Sequence, residues 1–385
     1  MGLLNVSSLL GVRRSGSDAL RYGAQRDGER TPDSALARRP VVVWNSTRAC
    51  NLTCTHCYAS AKSGPAPDEL SRDEAFAFLD DLATYGVPAV LLSGGEPLTR
   101  PDLLELIGHG IDRGLRFTLS TNGTLIDKPT AVAIAGAGVT YVGVSIDGSE
   151  ATHDRVRCRA GAWEQSVRGL RNLASAGAKR GVRYTLTPDS RPDLHDVLGL
   201  VEREHVERFC MYHLAPSGRG KYLHDVTPDE RRTALRDVFE FALTHPEVEV
   251  LTVDNPSDGV ALLQWLADHD PDRAEACRAA LVWNRGARGG PGIGLAAVDE
   301  RGDVHPDQFS RHRTVGNVRH RPFSEIWSHP EDPYLQALRA GSWSLSGECQ
   351  ACEGRELCNG GLRSRAEQST GDIWGFDPSC SLRAS

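Results

Sequence analysis

Apolar positions recur with two alternating periods through the middle of the chain. Val41-Val42-Val43-Trp44 is a short apolar run of the kind a buried strand shows. A helix is predicted from near Ser71, where Ser71 and Glu74 have capping-box spacing and Ala75, Leu79 and Leu82 share one face. Ala89–Leu92 reads as the next strand; Leu104, Ile107 and Ile111 read as the next helix, stopped at Gly114. The alternation continues with strands at Arg116–Ser120, Tyr141–Ile146, Arg183–Thr187 and Arg208–Leu214. Helices are predicted at Lys128–Ala137, Trp163–Ala176 and Leu194–Glu204. Such strand–helix alternation predicts an α/β fold with a parallel sheet and right-handed crossovers. Six successive β/α units suit an open, partial barrel better than a flat doubly wound sheet. Either architecture places its chemistry at the C-terminal ends of the strands.

The rhythm breaks at both ends. Residues 1–38 hold many Arg, Ser, Gly and Asp without sustained periodicity, and read as a flexible leader with at most a short helix at Leu3–Leu10. After Gly220, Thr227–Thr244 and Ala261–Ala279 each read as one long helix, which makes 221–290 a helical connection. The glycine-rich Gly286–Gly294 marks a boundary. Beyond it a hairpin is predicted from Gly294–Val298 and Asp303–His305, turned by Glu300-Arg301-Gly302. The expected organisation is a leader at 1–38, a β/α region at 39–220, the connection, and a small loop-rich module at 291–385.

Composition narrows the class. The 385 residues carry 44 Lys+Arg against 51 Asp+Glu, a net charge of −7, so no broad basic field exists for nucleic acid. No apolar run reaches the roughly 18 residues of a membrane span. The N-terminus carries no compact secretory signal, and a cytoplasmic protein is expected. In that setting clustered cysteines point to metal before disulfides.

The ten cysteines divide unevenly. Cys50, Cys54 and Cys57 form a CxxxCxxC. Three such thiolates suit a cuboidal 4Fe–4S cluster and leave one iron open. A structural zinc would need a fourth ligand, and His56 is awkwardly adjacent to Cys57. Cys349, Cys352, Cys358 and Cys380 offer four ligands, enough to enclose one cluster or one structural zinc. Cys158, Cys210 and Cys277 stand apart; Cys210 and Cys277 read as small buried residues, and Cys158 lies in a loop that could face the site.

In chain order, the CxxxCxxC follows the first strand and Ser93-Gly94-Gly95-Glu96-Pro97 the second. Ser120-Thr121-Asn122-Gly123 follows the third, and Ser145-Ile146-Asp147-Gly148 ends the fourth. This series resembles the radical S-adenosylmethionine (SAM) enzymes. The resemblance implies a partial (β/α)6 barrel, with a SAM-binding 4Fe–4S cluster on Cys50, Cys54 and Cys57. It implies Gly94, Gly95 and Glu96 at the SAM amino group, and Ser120, Asn122, Ser145 and Asp147 along the methionine and ribose. His56 matches a position near the adenine. The family chemistry is reductive SAM cleavage to a 5′-deoxyadenosyl radical, fed by a flavodoxin- or ferredoxin-type donor. The last four cysteines resemble the SPASM extension, implying one auxiliary 4Fe–4S cluster.

Further segments resemble the tetrapyrrole-modifying branch, which includes heme d1 biosynthesis proteins and siroheme-pathway decarboxylases. They include His213-Leu-Ala-Pro-Ser-Gly-Arg-Gly220, Val304-His-Pro-Asp-Gln-Phe309 and Pro322-Phe-Ser-Glu-Ile-Trp327. That branch implies removal or decarboxylation of carboxylate side chains of a siroheme-derived tetrapyrrole. A polycarboxylate needs cations, and Arg155, Arg157, Arg183, His213, Arg219 and His305 lie near predicted strand ends or loops. The alternative enzyme reading is a SPASM maturase of a ribosomally made peptide, against which the short leader argues. A non-catalytic iron–sulfur protein would not need the Gly94-Gly95-Glu96 segment.

Overall fold

The apolar runs become neighbouring strands of one sheet. The computed structural model describes residues 3–16, 18, 39–341 and 343–383. Its strands are β1 (Leu3–Asn5), β2 (Val41–Asn45), β3 (Val90–Ser93), β4 (Phe117–Thr121), β5 (Tyr141–Ser145), β6 (Arg180–Leu186), β7 (Arg208–His213), β8 (Glu249–Val253), β9 (Leu295–Val298), β10 (Asp303–His305) and β11 (Gly316–Asn317). The order is β1-β8-β7-β6-β5-β4-β3-β2-β9-β10-β11. Strands β2 to β8 pair in parallel in chain order, so their C-terminal ends share one rim. The register sets Trp44 beside Leu92 and Leu92 beside Leu119. Trp44, Leu92, Leu119, Val144, Tyr184 and Phe209 are all buried under the covering helices.

Local chemistry starts and stops those helices as expected. At Arg72–Tyr85, Ser71 and Glu74 each accept the other's backbone N–H, and Gly86 ends the helix at φ 81°. Pro228–Thr244 begins with the same device, built from Thr227 and Glu230.

Four features depart from the sequence expectation. The leader does not hang free at its start: β1 pairs antiparallel with β8, and Leu4, Val6 and Leu9 are buried. Residues 19–38 of the expected leader lie outside the described ones. The connection is not wholly helical, because β8 arises within it and extends the parallel sheet. The helix expected at Ala261–Ala279 is two, Ser257–His269 and Pro271–Asn284, since Pro271 cannot continue the first and Asp270 caps the second. Finally, the expected hairpin is present, but β9 also pairs in parallel with β2, so the C-terminal region extends the main sheet. Among the described residues, no helix is long and apolar enough to cross a membrane.

Candidate functional site

The first three cysteines occupy the loop leaving β2, and neighbouring segments grip that loop by its backbone. Gly95 donates its N–H to Thr47 O (2.7 Å), and Glu96 donates to Ala49 O (2.7 Å). A Cβ on Gly95 would lie 2.0 Å from Ala49 O, and one on Gly94 2.4 Å from Thr47 O. The glycine pair is therefore needed for close approach, not merely for a turn. On the other side, Arg219 follows β7 and donates from Nε to Cys54 O (2.7 Å) and from Nη1 to Ala61 O (2.9 Å). Beside it Gly218 has φ 58°, and a Cβ there would meet Cys57 O at 2.4 Å.

Held this way, Cys50, Cys54 and Cys57 line a cavity of about 160 Å³ on the C-terminal rim of the sheet. All three are free thiols. Burial pushes Cys50 up to about 12, so only a cation at the loop would hold it as thiolate. Burial also raises Cys54, opposed by the adjacent Arg157, whose Nη1 lies 3.5 Å from its sulfur. The same cavity is lined by His56, Gly94, Gly95, Ser120, Asn122, Ser145, Arg157, Arg183, His213 and Arg219, so most residues singled out from sequence meet there.

Two of the anticipated SAM contacts sit behind the wall. Glu96 is fully buried and accepts from Asn122 N (2.7 Å), Thr121 Oγ1 (2.7 Å) and Leu98 N (3.2 Å). Burial raises its carboxyl to about 6 against those bonds. Its carboxylate thus ties the Ser93–Pro97 loop to the end of β4. Asp147 is buried too, paired with Arg157 Nη2 (2.5 Å) and accepting from Thr185 N (2.9 Å). His56 Nε2 lies 3.5 Å from Asp147, yet burial lowers the imidazole to about 4 and keeps it neutral.

Two anticipated substrate contacts do not reach the cavity. Arg155 is over half exposed and faces Asp189 at 3.6 Å. His305 is buried in the hairpin, with Nδ1 at 2.9 Å from Arg313 O and Nε2 at 3.5 Å from Asp299. His213 does line the cavity, but Asp258 (2.7 Å) and Arg231 (3.3 Å) already occupy its ring nitrogens. Arg183 is different: it stacks on Tyr212, 4.3 Å from the ring centroid, and forms no ion pair among the described residues.

Sequence reasoning missed several lining residues: Tyr58, Thr185, Tyr212, Asp254, Gln308 and Phe309. Tyr58 had a signal, standing directly after the third cysteine, and its hydroxyl donates to Asn45 Oδ1 (2.9 Å). Asp254 had none, because β8 itself was not anticipated.

The second set of cysteines also converges. Cys349, Cys352, Cys358 and Cys380 line one small cavity with Asn255, Gly361 and Asp377. Burial raises Cys349, Cys358 and Cys380 above the usual thiol range. Asp377 braces this wall: it accepts from Arg365 Nε (2.7 Å) and Nη2 (2.8 Å), Leu362 N (2.7 Å) and Ser379 N (2.9 Å).

Comparison with known proteins agrees with this layout. The Radical SAM superfamily profile matches residues 44–201, and SPASM, an iron-sulfur cluster-binding domain, matches 293–353. The chain is 41% identical over 393 residues to Fe-coproporphyrin III synthase of Methanosarcina barkeri, covering 99% of this chain and 98% of that protein. It is 40% identical over 355 residues to pre-heme d1 synthase of Dinoroseobacter shibae, covering 90% and 87%. In fold it is similar to Streptococcus suis SuiB bound to precursor peptide SuiA, with a TM-score of 0.71 at 17% identity, covering 90% of this chain and 76% of that one. The chain therefore belongs to the radical SAM enzymes that carry a SPASM domain, in their tetrapyrrole-modifying branch.

Proposed function

We propose that this enzyme removes or decarboxylates carboxylate side chains of a siroheme-derived tetrapyrrole. The observation that carries the reading is the cavity that brings the three cysteines of the Cys50–Cys57 loop together with Arg183, a half-buried cation without an ion-pair partner among the described residues. An unpaired, half-buried guanidinium suits a carboxylate ligand, which it can hold in bidentate fashion. The tetrapyrrole products for which the two relatives are named suit the same chemistry.

Cys50, Cys54 and Cys57 would hold a 4Fe–4S cluster, with SAM beside it in the same cavity. Together, when bound, these would supply radical chemistry able to activate a carbon–hydrogen bond of the substrate. The chain's own residues position and exclude. Gly94 and Gly95 let the cysteine loop lie against the rim, and Arg219 pins its other side. Ser120, Asn122 and Ser145 present polar groups for the methionine and ribose, backed by Glu96 and Asp147. Neutral His56 provides a flat face for the adenine. Cys349, Cys352, Cys358 and Cys380 would hold one auxiliary 4Fe–4S cluster. The enzyme would work in the cytoplasm with a flavodoxin- or ferredoxin-type donor, because such clusters reach very low potentials.

Anaerobic reconstitution followed by incubation with SAM, dithionite and didecarboxysiroheme tests the reading. 5′-Deoxyadenosine together with a tetrapyrrole mass loss matching side-chain removal is the expected result. SAM cleavage with the tetrapyrrole unchanged would overturn the substrate assignment and favour a peptide.

A further inference from the structure

At the C-terminal end of β8 the chain turns at Asp254 with φ 68°, in the left-handed region that Asp and Asn enter more readily than other side chains. Asp254 is 5% exposed, lines the large cavity, and its Oδ2 has no hydrogen-bond partner. Buried polar groups are rarely left unbonded, and each exception asks for a ligand or another reason. The amide oxygen of Gln308, lining the same cavity, is also buried and unbonded.

The charged and titratable groups around Asp254 come from four elements. Arg183 on β6 and Arg365 on the helix Arg363–Thr370 attract its charge, Asp307 after β10 repels it, and Tyr212 stands on β7. Arg365 is occupied, giving Nη1 to Leu214 O, Nη2 to Asp254 O and Asp377, and Nε to Asp377. His213 on β7 is bound to Asp258 and Arg231. Of these cations around Asp254, Arg183 is the one with no hydrogen-bond or ion-pair partner among the described residues.

We infer that Arg183 and Asp254 form a carboxylate-binding subsite, in which the guanidinium pairs with one substrate carboxylate and Asp254, protonated, donates its O–H to the same group. The proton is shared between two carboxyls, and the Arg183 charge stabilises the single negative charge left on the pair. Burial, reinforced by Asp307 against Arg365 and Arg183, pushes the Asp254 carboxyl up to about 7. It is therefore neutral and able to donate below that pH, and ionised and repulsive above it. The inference rests on the tetrapyrrole-carboxylate reading of this cavity.

The test is titration of the anaerobically reconstituted holoenzyme with didecarboxysiroheme and, separately, its fully esterified methyl ester. Tryptophan fluorescence is followed between about pH 5.5 and 8.5, a window that spans the Asp254 transition. The wild type is expected to bind the acid and not the ester, with a Kd that is flat below about pH 7 and rises up to about tenfold per pH unit above it. Asp254→Asn, which keeps a donor and tolerates the same turn, is expected to lose the alkaline rise. Asp254→Ala and Arg183→Gln are each expected to weaken binding by about tenfold or more near pH 6. Circular dichroism and iron per chain establish that the variants fold. Wild-type Kd and pH profile in both Asp254 variants would overturn the subsite while leaving the tetrapyrrole reading standing. A wild type that holds neither tetrapyrrole, or holds the ester as tightly as the acid, would overturn both.

Discussion

Cys50, Cys54 and Cys57 lie within eight residues, on one loop that distant segments hold in place. Cys349, Cys352 and Cys358 lie within ten residues and Cys380 follows 22 residues later, where the C-terminal region folds back and Asp377 binds Arg365. The first set faces a cavity of about 160 Å³ with room for other ligands, whereas the second closes on one of about 20 Å³. Cysteines close in sequence can occupy only one side of a cluster. The other side then stays open, and the loop that carries them needs support from outside. A further cysteine returning from later in the chain can close the other side of a cluster. The first design suits a reaction and the second a stable, enclosed centre.

The sharpest way to break this comparison is to delete each set. With Cys50, Cys54 and Cys57 all changed to Ala, SAM cleavage should vanish, and iron should fall from about eight to about four per chain. Replacing the other four with Ala should remove the other half of the iron while 5′-deoxyadenosine is still formed. SAM cleavage surviving the first change, or zinc in place of the second half of the iron, would end the distinction. Asp377→Asn should come next in size, because it leaves Arg365 buried without its charge partner, at a cost of about 3–5 kcal/mol in thermal unfolding of the iron-loaded protein. An unchanged Tm would mean the C-terminal region does not depend on this internal brace. Gly95→Ala should cost less, about 1–3 kcal/mol, by forcing Ala49 aside. It should also lower SAM cleavage, since Cys50 follows Ala49 directly; full cleavage at wild-type stability would show that the loop needs no such close support.

Much of this was legible from residue order. Strands β2 to β7 announce themselves as apolar runs, and Ser71/Glu74 marks a helix start that the structure reproduces. The CxxxCxxC and the segments after β3, β4 and β5 specify the rim because their chemistry is local. What failed was set by tertiary context. Leu3–Asn5 is too short to read as a strand and exists only because β8 offers an edge. Glu249–Val253 is only five residues between two long helical stretches and becomes a strand by pairing with β7. Asp254 looks like an ordinary turn residue until that pairing carries it to the cavity. Arg155 and Arg157 looked equivalent in sequence, yet positions two apart on a helix point away from each other. Arg157 is consequently buried against Asp147, while Arg155 faces solvent.

Asp254 belongs to the wall of the larger cavity, and the next residue, Asn255, to the wall of the smaller one, where its amide holds Ser379 O at 2.9 Å. A single peptide unit, about 3.8 Å from Cα to Cα, is thus a partition shared by two chambers. For protein engineering this means the C-terminal region is not a detachable cartridge. A one-residue insertion after β8 would displace one chamber wall relative to the other, and a SPASM domain grafted from a relative would have to match this junction residue for residue. Substrate range and the enclosed cluster must therefore be redesigned together.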